Sequence, residues 1–534
     1  MIAKTAAKSQ SRNQPAEDWR DLHPDPFRVS FRAMQTSRLD VLVIGDLHYP
    51  GLVARPNPIA ARRGEWMPLF IQRAITRLRQ MNAGPDLILL LGDLVNDGED
   101  PGAETAWMHL AGALLGSGIP VLAVAGNHDT RPGRVAAFFN TAPGLHRIGG
   151  YGFLVFNDRH TGDDHFVRDA AELALPRQAA AANPGLPLIA LQHNPLHPAI
   201  DSSYPFLLDN AEEAAASYRE AGVALSLSGH YHRGLGPFER DGTTYLTVPA
   251  LCESPFSFLH LRLDGGRTEI TRHALRHDTP GLCDVHCHSE FAYCATTVTA
   301  AHGIELSRIL GLDRVCIVEH AFQLYFPKTE AWSFNWNNDP EAVAAAWAAP
   351  GRGRMAAFRA FARAARSPFA RVGLEVDLYG DGHLLLAPGD ADDWDILIGA
   401  VHAIRGVDRH ATPQAEAERL FLRDVDALLA SPVDVLAHPF RFFTRSGYAK
   451  PEHLFECVAE RLAASGKAVE LNFHTNDPEP AFFRACLDRG VRIACGTDSH
   501  NLLEPADLDR HLRFMRGLGV ADADLPAILF TPRS

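Results

Sequence analysis

The sequence predicts an α/β protein of two domains, and three observations carry that prediction. Twelve short apolar runs each end in Asp, Glu, Asn or His. Segments long enough for helices separate most of the runs, so strand and helix alternate. The chain has 534 residues, more than one core of about 100–200 residues accounts for.

Taken in order, residues 1–36 are polar and Pro-containing and read as a mobile leader or docking arm. From Leu39 five buried strands follow, LDVLVIGDLH, DLILLLGDLV, VLAVAGNHD, PLIALQHNP and ALSLSGHYH, each delivering polar side chains to one end. Apolar residues at 67, 70, 71, 74, 75, 78 and 81 predict a helix over Trp66–Met81 that packs on a sheet. Further helices are expected at Glu104–Leu115 and Ala211–Ala221. The pattern weakens in a Gly-, Pro- and charge-rich stretch, which sets a first domain at 37–270, a linker at 271–281 and a second domain at 282–534. There seven more runs appear: LCDVHCH, RVCIVEH, RVGLEVD, DILIGAVH, VDVLAHP, AVELNFH and RIACGTDSH, with helices expected at Ala415–Ala430 and Pro451–Ser465. Repeated strand–helix units with polar strand ends describe a barrel whose active site lies on one rim.

Composition excludes several classes. With 46% hydrophobic and 22% charged residues the chain is globular rather than disordered or coiled-coil. The formal charge is −13, made of −5 up to residue 270 and −8 beyond, so neither half is a basic platform for long nucleic acid. Leu110–Ala125, the most apolar region, is broken by Gly and Pro and too short for a membrane span. The first 40 residues offer no signal-peptide core, and eight scattered cysteines suit a reducing cytoplasm. The anomaly is the set of 26 histidines.

In the first half, Asp46 and His48 end one strand, Asp93 the next, then Asn127 and His128, His193, and finally His230 and His232. All are oxygen or imidazole donors, which suit Mn, Fe or Zn, and there are enough for two ions sharing one carboxylate. A shared Asp would hold the ions about 3.5–4 Å apart, the spacing that clamps both oxygens of an in-line displacement. In these motifs, D-x-H, G-D, G-N-H-D, a lone His and G-H-x-H in that order, the sequence resembles the calcineurin-like metallophosphoesterases. The resemblance implies a layered αββα sandwich. It places Asp46, His48, Asp93 and His232 on one metal, and Asp93, Asn127, His193 and His230 on the other. It leaves His128 unligated beside the phosphate, where an imidazole can protonate the leaving group. The G-D-L-V-N-D-G and G-H-Y-H-R wording resembles the cyclic-nucleotide and glycerophosphodiester branch.

In the second half, His286 and His288 stand at i and i+2 on a strand and therefore point to the same side. Later strand ends add Glu319, His320, Glu375, His402, His438, Asp498 and His500. D-x-H-x-H, G-L-E-V-D, G-A-V-H, A-H-P and G-T-D-S-H resemble the PHP (polymerase and histidinol phosphatase) family. That resemblance implies a distorted (β/α)7 barrel with two or three Zn, Mn or Fe ions. His286, His288, Glu375 and Asp498 would hold the first, Glu375, His402 and His438 the second, and His320 and His500 the third. Cys294 stands where the family often has His; a zinc-binding thiolate and a small buried residue are both open readings. Glu319 replaces the usual Asp, which puts its supporting role in question. His474 reads as a barrel-edge residue, and Cys287, Cys316 and Cys495 as core.

Phe322, Tyr325, Phe326, Trp332, Phe334 and Trp336 crowd a segment after a ligand-bearing strand; they form a stacking wall for a flat substrate, a local core or an interface with the first domain. Arg405 and Arg441 follow ligand strands and are candidates for binding phosphate. The expected function is a metal-dependent phosphoesterase with a phosphodiesterase-like first site and a phosphomonoesterase-like second site. Its expected substrates are small phosphorylated metabolites or nucleotides. The competing expectations are a nuclease or nucleotide-processing enzyme, and a single-site phosphoesterase whose other domain is regulatory.

Overall fold

A computed structural model of the chain describes residues 27–30, 38–51, 59–265, 267–348, 354–389 and 391–532. Two compact units emerge among the described residues, one formed by those up to Met67 with 83–253 and 257–273, the other by 68–82, 254–256 and those from Ala274 onward.

The first unit contains two six-stranded sheets. One has the spatial order Phe27–Ser30, Arg267–Ala274, Ser257–Asp264, Leu39–Ile44, Leu87–Leu91, Val121–Val124. Its last three strands are parallel to one another. The other runs Leu235–Arg240, Thr243–Thr247, Val223–Ser228, Leu188–Leu191, Tyr151–Val155, Gly144–Ile148. The first four ligand-bearing strands are buried along their whole length, as near-continuous apolar runs require. Val41, Val43, Leu89, Phe153, Ile189 and Leu225 fill the space between the sheets. On the far side of the second sheet, Leu154 and Ala190 meet Ala179 of helix Ala170–Ala182 and Ala214 and Tyr218 of helix Ala211–Ala221. Helices Ala103–Leu115 and Pro132–Phe139 lie on the first sheet's side. The unit is thus a layered αββα sandwich. Truncating a side chain such as Phe153 in the middle layer would cost about 3–5 kcal/mol.

Three expectations are revised. The leader expected at 1–36 contains strand Phe27–Ser30, which pairs antiparallel with residues 267–270; residues 1–26 and 31–36 lie outside the described residues. The expected linker begins inside strand Arg267–Ala274, and His277 within it is buried, its Nε2 donating to the Ala506 carbonyl at 3.1 Å. The expected helix forms over Met67–Gln80 but groups with the second unit. Two buried arginines explain this: Arg73 donates to the carbonyl of Pro505 at 2.7 Å, and Arg77 to the carbonyl of Ala274 at 2.5 Å and to Asp507 at 3.2 Å.

The second unit is built on seven parallel strands in chain order: Cys283–Cys287, Arg314–His320, Ala370–Val376, Ile396–Gly399, Val435–Leu436, Ala468–Asn472 and Ile493–Gly496. A bridge between Cys287 and Ser499 and a 2.7 Å bond from the Asp498 amide to the His286 carbonyl join the last strand end to the first, closing a barrel. Helices Ala300–Ile309, Met355–Ala365, Gln414–Ala430, Phe455–Ser465 and Pro480–Asp488 cover five of the six crossings. The third crossing carries a short hairpin and a 3-10 turn among the described residues, which is the distortion in the (β/α)7 barrel. No helix among the described residues is long and apolar enough to cross a membrane.

Candidate metal centres

In the first unit the donors converge just past the strand ends. His48 Nε2 and His232 Nε2 lie 3.2 Å apart, and Asp46 Oδ1 is 3.6 Å from His232 Nε2. Asp93 presents Oδ2 to His48 Nε2 and Oδ1 to His193 Nε2, each at 3.5 Å. Asn127 Oδ1 lies 3.1 Å from His193 Nε2, and the rings of His193 and His230 are 4.7 Å apart. Asp46, His48, Asp93 and His232 therefore form one group, Asp93, His193 and His230 a second with Asn127 beside it, and Asp93 is common to both.

Backbone conformation aims these side chains. Asp46, His48, Asp93 and His230 all have positive φ, between 46° and 68°. For residues with a Cβ such conformations cost about 1–3 kcal/mol each and persist only where the surroundings impose them. The glycines of G-D and G-N-H leave room: a Cβ on Gly92 would overlap His193 Nδ1, and one on Gly126 would overlap Asp93 Oδ1.

Charge is arranged around the shared carboxylate. Burial disfavours the Asp93 anion, but the imidazoles of His193 and His48 outweigh it and hold the group below its ordinary range. Burial, reinforced by His193, pushes His230 down to about 3, so that ring stays neutral and can donate a lone pair. His230 Nε2 is buried with no hydrogen-bond partner, an arrangement a bound cation would satisfy. His128 is tethered through Nδ1 to the Asn96 carbonyl at 2.7 Å, and its amide donates to Asp93 Oδ1 at 2.8 Å. It lines a cavity of about 800 Å³ with Arg62, Tyr204, Phe206, Arg233 and Glu253.

Sequence reasoning missed the groups that brace these ligands. Glu253 accepts from His232 Nδ1 at 2.8 Å. Asp129 accepts from the amides of Leu94, Val95 and Gly126 and from the Trp107 indole. Burial and the neighbouring Asp93 raise Asp129 to about 6. Asp129 was legible as the last letter of G-N-H-D; Glu253 follows no strand motif and had no signal.

In the barrel, His286 Nε2 and His288 Nε2 are 3.2 Å apart, with Asp498 Oδ1 at 3.1 Å from His288 Nε2. Glu375 divides its oxygens: Oε2 is 3.4 Å from His286 Nε2 and 2.5 Å from His320 Nδ1, while Oε1 is 2.9 Å from His438 Nε2 and 3.3 Å from His402 Nε2. The His500 ring sits 4.8 Å from His288, and His288, His320 and His500 form a further group. Burial opposes a charged Glu375, yet His320, His402 and His286 hold it well below the usual carboxylate range. Glu375 Oε2 and Asp498 Oδ1 are buried and face imidazole nitrogens of the candidate ligands, again fitting a cation. Here too a ligand turn is left-handed, with φ 51° at Asp498, and His438 has φ 25°.

The supporting carboxylates were again underread. Asp377 accepts from the amide and Nδ1 of His402, both at 3.1 Å. Asp284 accepts from Thr497 and Ala506. Glu319 bonds the Ser289 amide at 2.8 Å, leaving Oε2 3.5 Å from His288 Nδ1. Cys294 lies against Gln323, whose amide nitrogen is 3.4 Å from the sulfur, and burial pushes its thiol up to about 12. His474 stacks on His500 with ring centroids 4.2 Å apart.

The two arginine candidates part company. Arg405 is a structural residue: its Nε and NH2 bond Asp424 Oδ1 at 3.2 and 2.7 Å, and NH1 reaches the Gly380 carbonyl, so its fork is spent away from the centre. Arg441 lies inside the centre, against Asp498, His402 and His438. The aromatic segment splits as well. Phe322, Tyr325, Phe326 and Trp336 are core, whereas Trp332 and Phe334 line a cavity of about 380 Å³ with His402, Arg409, Arg441 and Arg445.

Comparison with known proteins gives two family matches. Residues 39–234 match the model described as calcineurin-like phosphoesterase, and residues 284–474 match the PHP domain. The chain is 29% identical over 197 residues to "Serine/threonine-protein phosphatase CPPED1" of Bos taurus, covering 32% of this chain and 60% of that protein. It is 34% identical over 86 residues to "Metallophosphoesterase 1 homolog" of Drosophila melanogaster, covering 15% of this chain and 23% of that protein. It is 25% identical over 249 residues to "Probable histidinol-phosphatase" of Deinococcus radiodurans, covering 41% and 86%. The chain thus spans less than two thirds of the first two of these relatives. Among solved structures, a dimetal phosphatase from Danio rerio aligns at 14% identity and TM-score 0.36 over 44% of this chain and 98% of its own. A purple acid phosphatase from yellow lupin (Lupinus luteus) aligns at 15% identity and TM-score 0.35 over 46% and 53%.

Proposed function

We propose, for a chain that joins a calcineurin-like phosphoesterase domain to a PHP domain, that both domains hydrolyse phosphoric esters with divalent metals. On this reading the first takes phosphodiesters and the second phosphomonoesters, on small metabolites or nucleotides rather than long nucleic acid. The observation that carries the proposal is Asp93, whose two oxygens each face a separate imidazole group at 3.5 Å. Glu375 repeats the device in the barrel.

In the first domain Asp46, His48, Asp93 and His232 would hold one cation and Asp93, Asn127, His193 and His230 the other. When bound, such cations neutralise phosphoryl charge and lower the pKa of water. Everything else belongs to the chain. The Asn96 carbonyl takes the Nδ1 proton of His128, so the proton given to a leaving oxygen comes from Nε2. Tyr204 and Phe206, tilted against each other with ring centroids 4.7 Å apart, wall the cavity and can hold a planar or apolar leaving group. In the second domain His286, His288, His320, Glu375, Asp498 and His500 would hold the metal, and Trp332 and Phe334 flank the approach. All eight cysteines are unpaired, which supports a reducing cytoplasmic setting.

The test is to supply the purified chain with diester and monoester substrates. His128→Ala is expected to lose diester hydrolysis alone, by about 10²–10⁴-fold, and His402→Ala monoester hydrolysis alone. Loss of one and the same reaction in both variants would refute the division of labour.

A further inference from the structure

The barrel centre is asymmetric. On one side the buried Glu375 Oε2 faces His320 Nδ1 at 2.5 Å and Asp498 Oδ1 faces His288 Nε2 at 3.1 Å, a set of donors that a cation would fit. On the other, Arg441 is only 3% exposed and fills the space between the ligand side chains. Its NH2 lies 2.6 Å from His438 Nε2 and 3.3 Å from His402 Nε2, and its NH1 donates to Asp498 Oδ2 at 2.5 Å and to the His474 carbonyl at 3.3 Å. These imidazole nitrogens are the same atoms that face Glu375 Oε1.

A guanidinium offers only donors and stays protonated, so an Nε2 that takes a hydrogen bond from it does so with its lone pair. A lone pair engaged in that way cannot also ligate a metal, and a fixed positive charge repels a second one in the same space.

We infer that Arg441 stands in for the cation that His402 and His438 would otherwise share, so the PHP centre holds metal only on the side of His286, His288 and His320. The family-derived assignment of a second metal to Glu375, His402 and His438 is then replaced by a resident guanidinium. That group also lines the 380 Å³ cavity. The inference rests on the proposed reading of the barrel as a metal centre.

Metal content tests it without reference to activity. Full-length protein is loaded with Mn²⁺ or Zn²⁺, desalted, and its ions per chain are counted for wild type, His402→Ala, Arg441→Met and the double variant. His402→Ala is expected to hold as many ions as wild type, Arg441→Met to gain one per chain, and the double variant to lose that gain. An ion lost on His402→Ala in the presence of Arg441, or no gain in folded Arg441→Met, overturns the inference. If Arg441→Met does not fold, the comparison of His402→Ala with wild type decides alone. His286→Ala separates the two levels: if it removes no ion, the metal-centre reading itself fails.

Discussion

Glu470 Oε1 accepts a 2.8 Å hydrogen bond from His286 Nδ1, while its Oε2 accepts the backbone amide of His438 at 3.0 Å. One buried carboxylate therefore orients an imidazole and fixes the turn that carries another. Carboxylates behind ligating histidines set the tautomer and typically carry about 10–100-fold in metal affinity. Glu470→Ala is expected to weaken metal binding by the barrel within that range, measured by chelator competition, with the first centre unchanged. Equal affinities would show that Glu470 is a packing residue.

Gly126 is a tight point of the first centre. A methyl group there would overlap Asp93 Oδ1 and sit 2.8 Å from His193 Cε1. Neither neighbour is free to retreat, since both are buried and held. Gly126→Ala should lower stability by about 1–3 kcal/mol and reduce bound metal. Gly133→Ala, in helix Pro132–Phe139 with open space around it, should do neither. Melting curves and metal counts on the pair check this.

Arg405 and Asp424 form a buried pair remote from the barrel's ligands. Removing Asp424 strands the buried Arg405 charge, which costs about 3–5 kcal/mol, whereas without Arg405 the carboxylate keeps Arg423 at 2.8 Å. Asp424→Ala is expected to destabilise by that order and Arg405→Ala by less, and any folded fraction should keep its KM for a monoester. A KM rise confined to the arginine variant would restore Arg405 as a phosphate ligand.

Two buried histidines outside the metal centres set an acid limit on the second unit. Burial, aided for His277 by Arg77, lowers both His277 and His511 to about 4 from an ordinary 6.5. Protonation is thus easier unfolded than folded. The stability involved is fully present above pH 6.5 and is lost as pH falls from 6.5 towards 4, reaching roughly 3 kcal/mol for each group. Wild type should melt at progressively lower temperature through that window, and His277→Asn with His511→Asn should flatten the dependence. Parallel curves for wild type and the double variant would contradict it.

Much of this was readable in the chain because strand-end motifs combine two strong signals. LDVLVIGDLH is apolar enough to be buried on both faces, and its polar end has no role in such a strand except at a site. The seven barrel strands were legible for the same reason. Edge strands such as Leu235–Arg240 and Gly144–Ile148 were not, since they are partly exposed and mix apolar with polar residues. The placement of helix Met67–Gln80 escaped because its stripe of apolar residues says only that one face is covered; Arg73 and Arg77, which tie it to the second unit, look like surface charges in sequence. Glu253 and Glu470 serve ligands far away in the chain, so spacing could not reveal them.

The left-handed turns at Asp46, His48, Asp93, His230 and Asp498 carry a lesson for anyone who would move these centres elsewhere. An ordinary loop presents the same side chains in other directions, because main-chain torsion and donor identity are inseparable at these positions. A transplant that copies the histidines and aspartates alone should yield a weak, ill-aimed chelator, whereas one that carries each whole turn with its adjoining glycine should keep the grip.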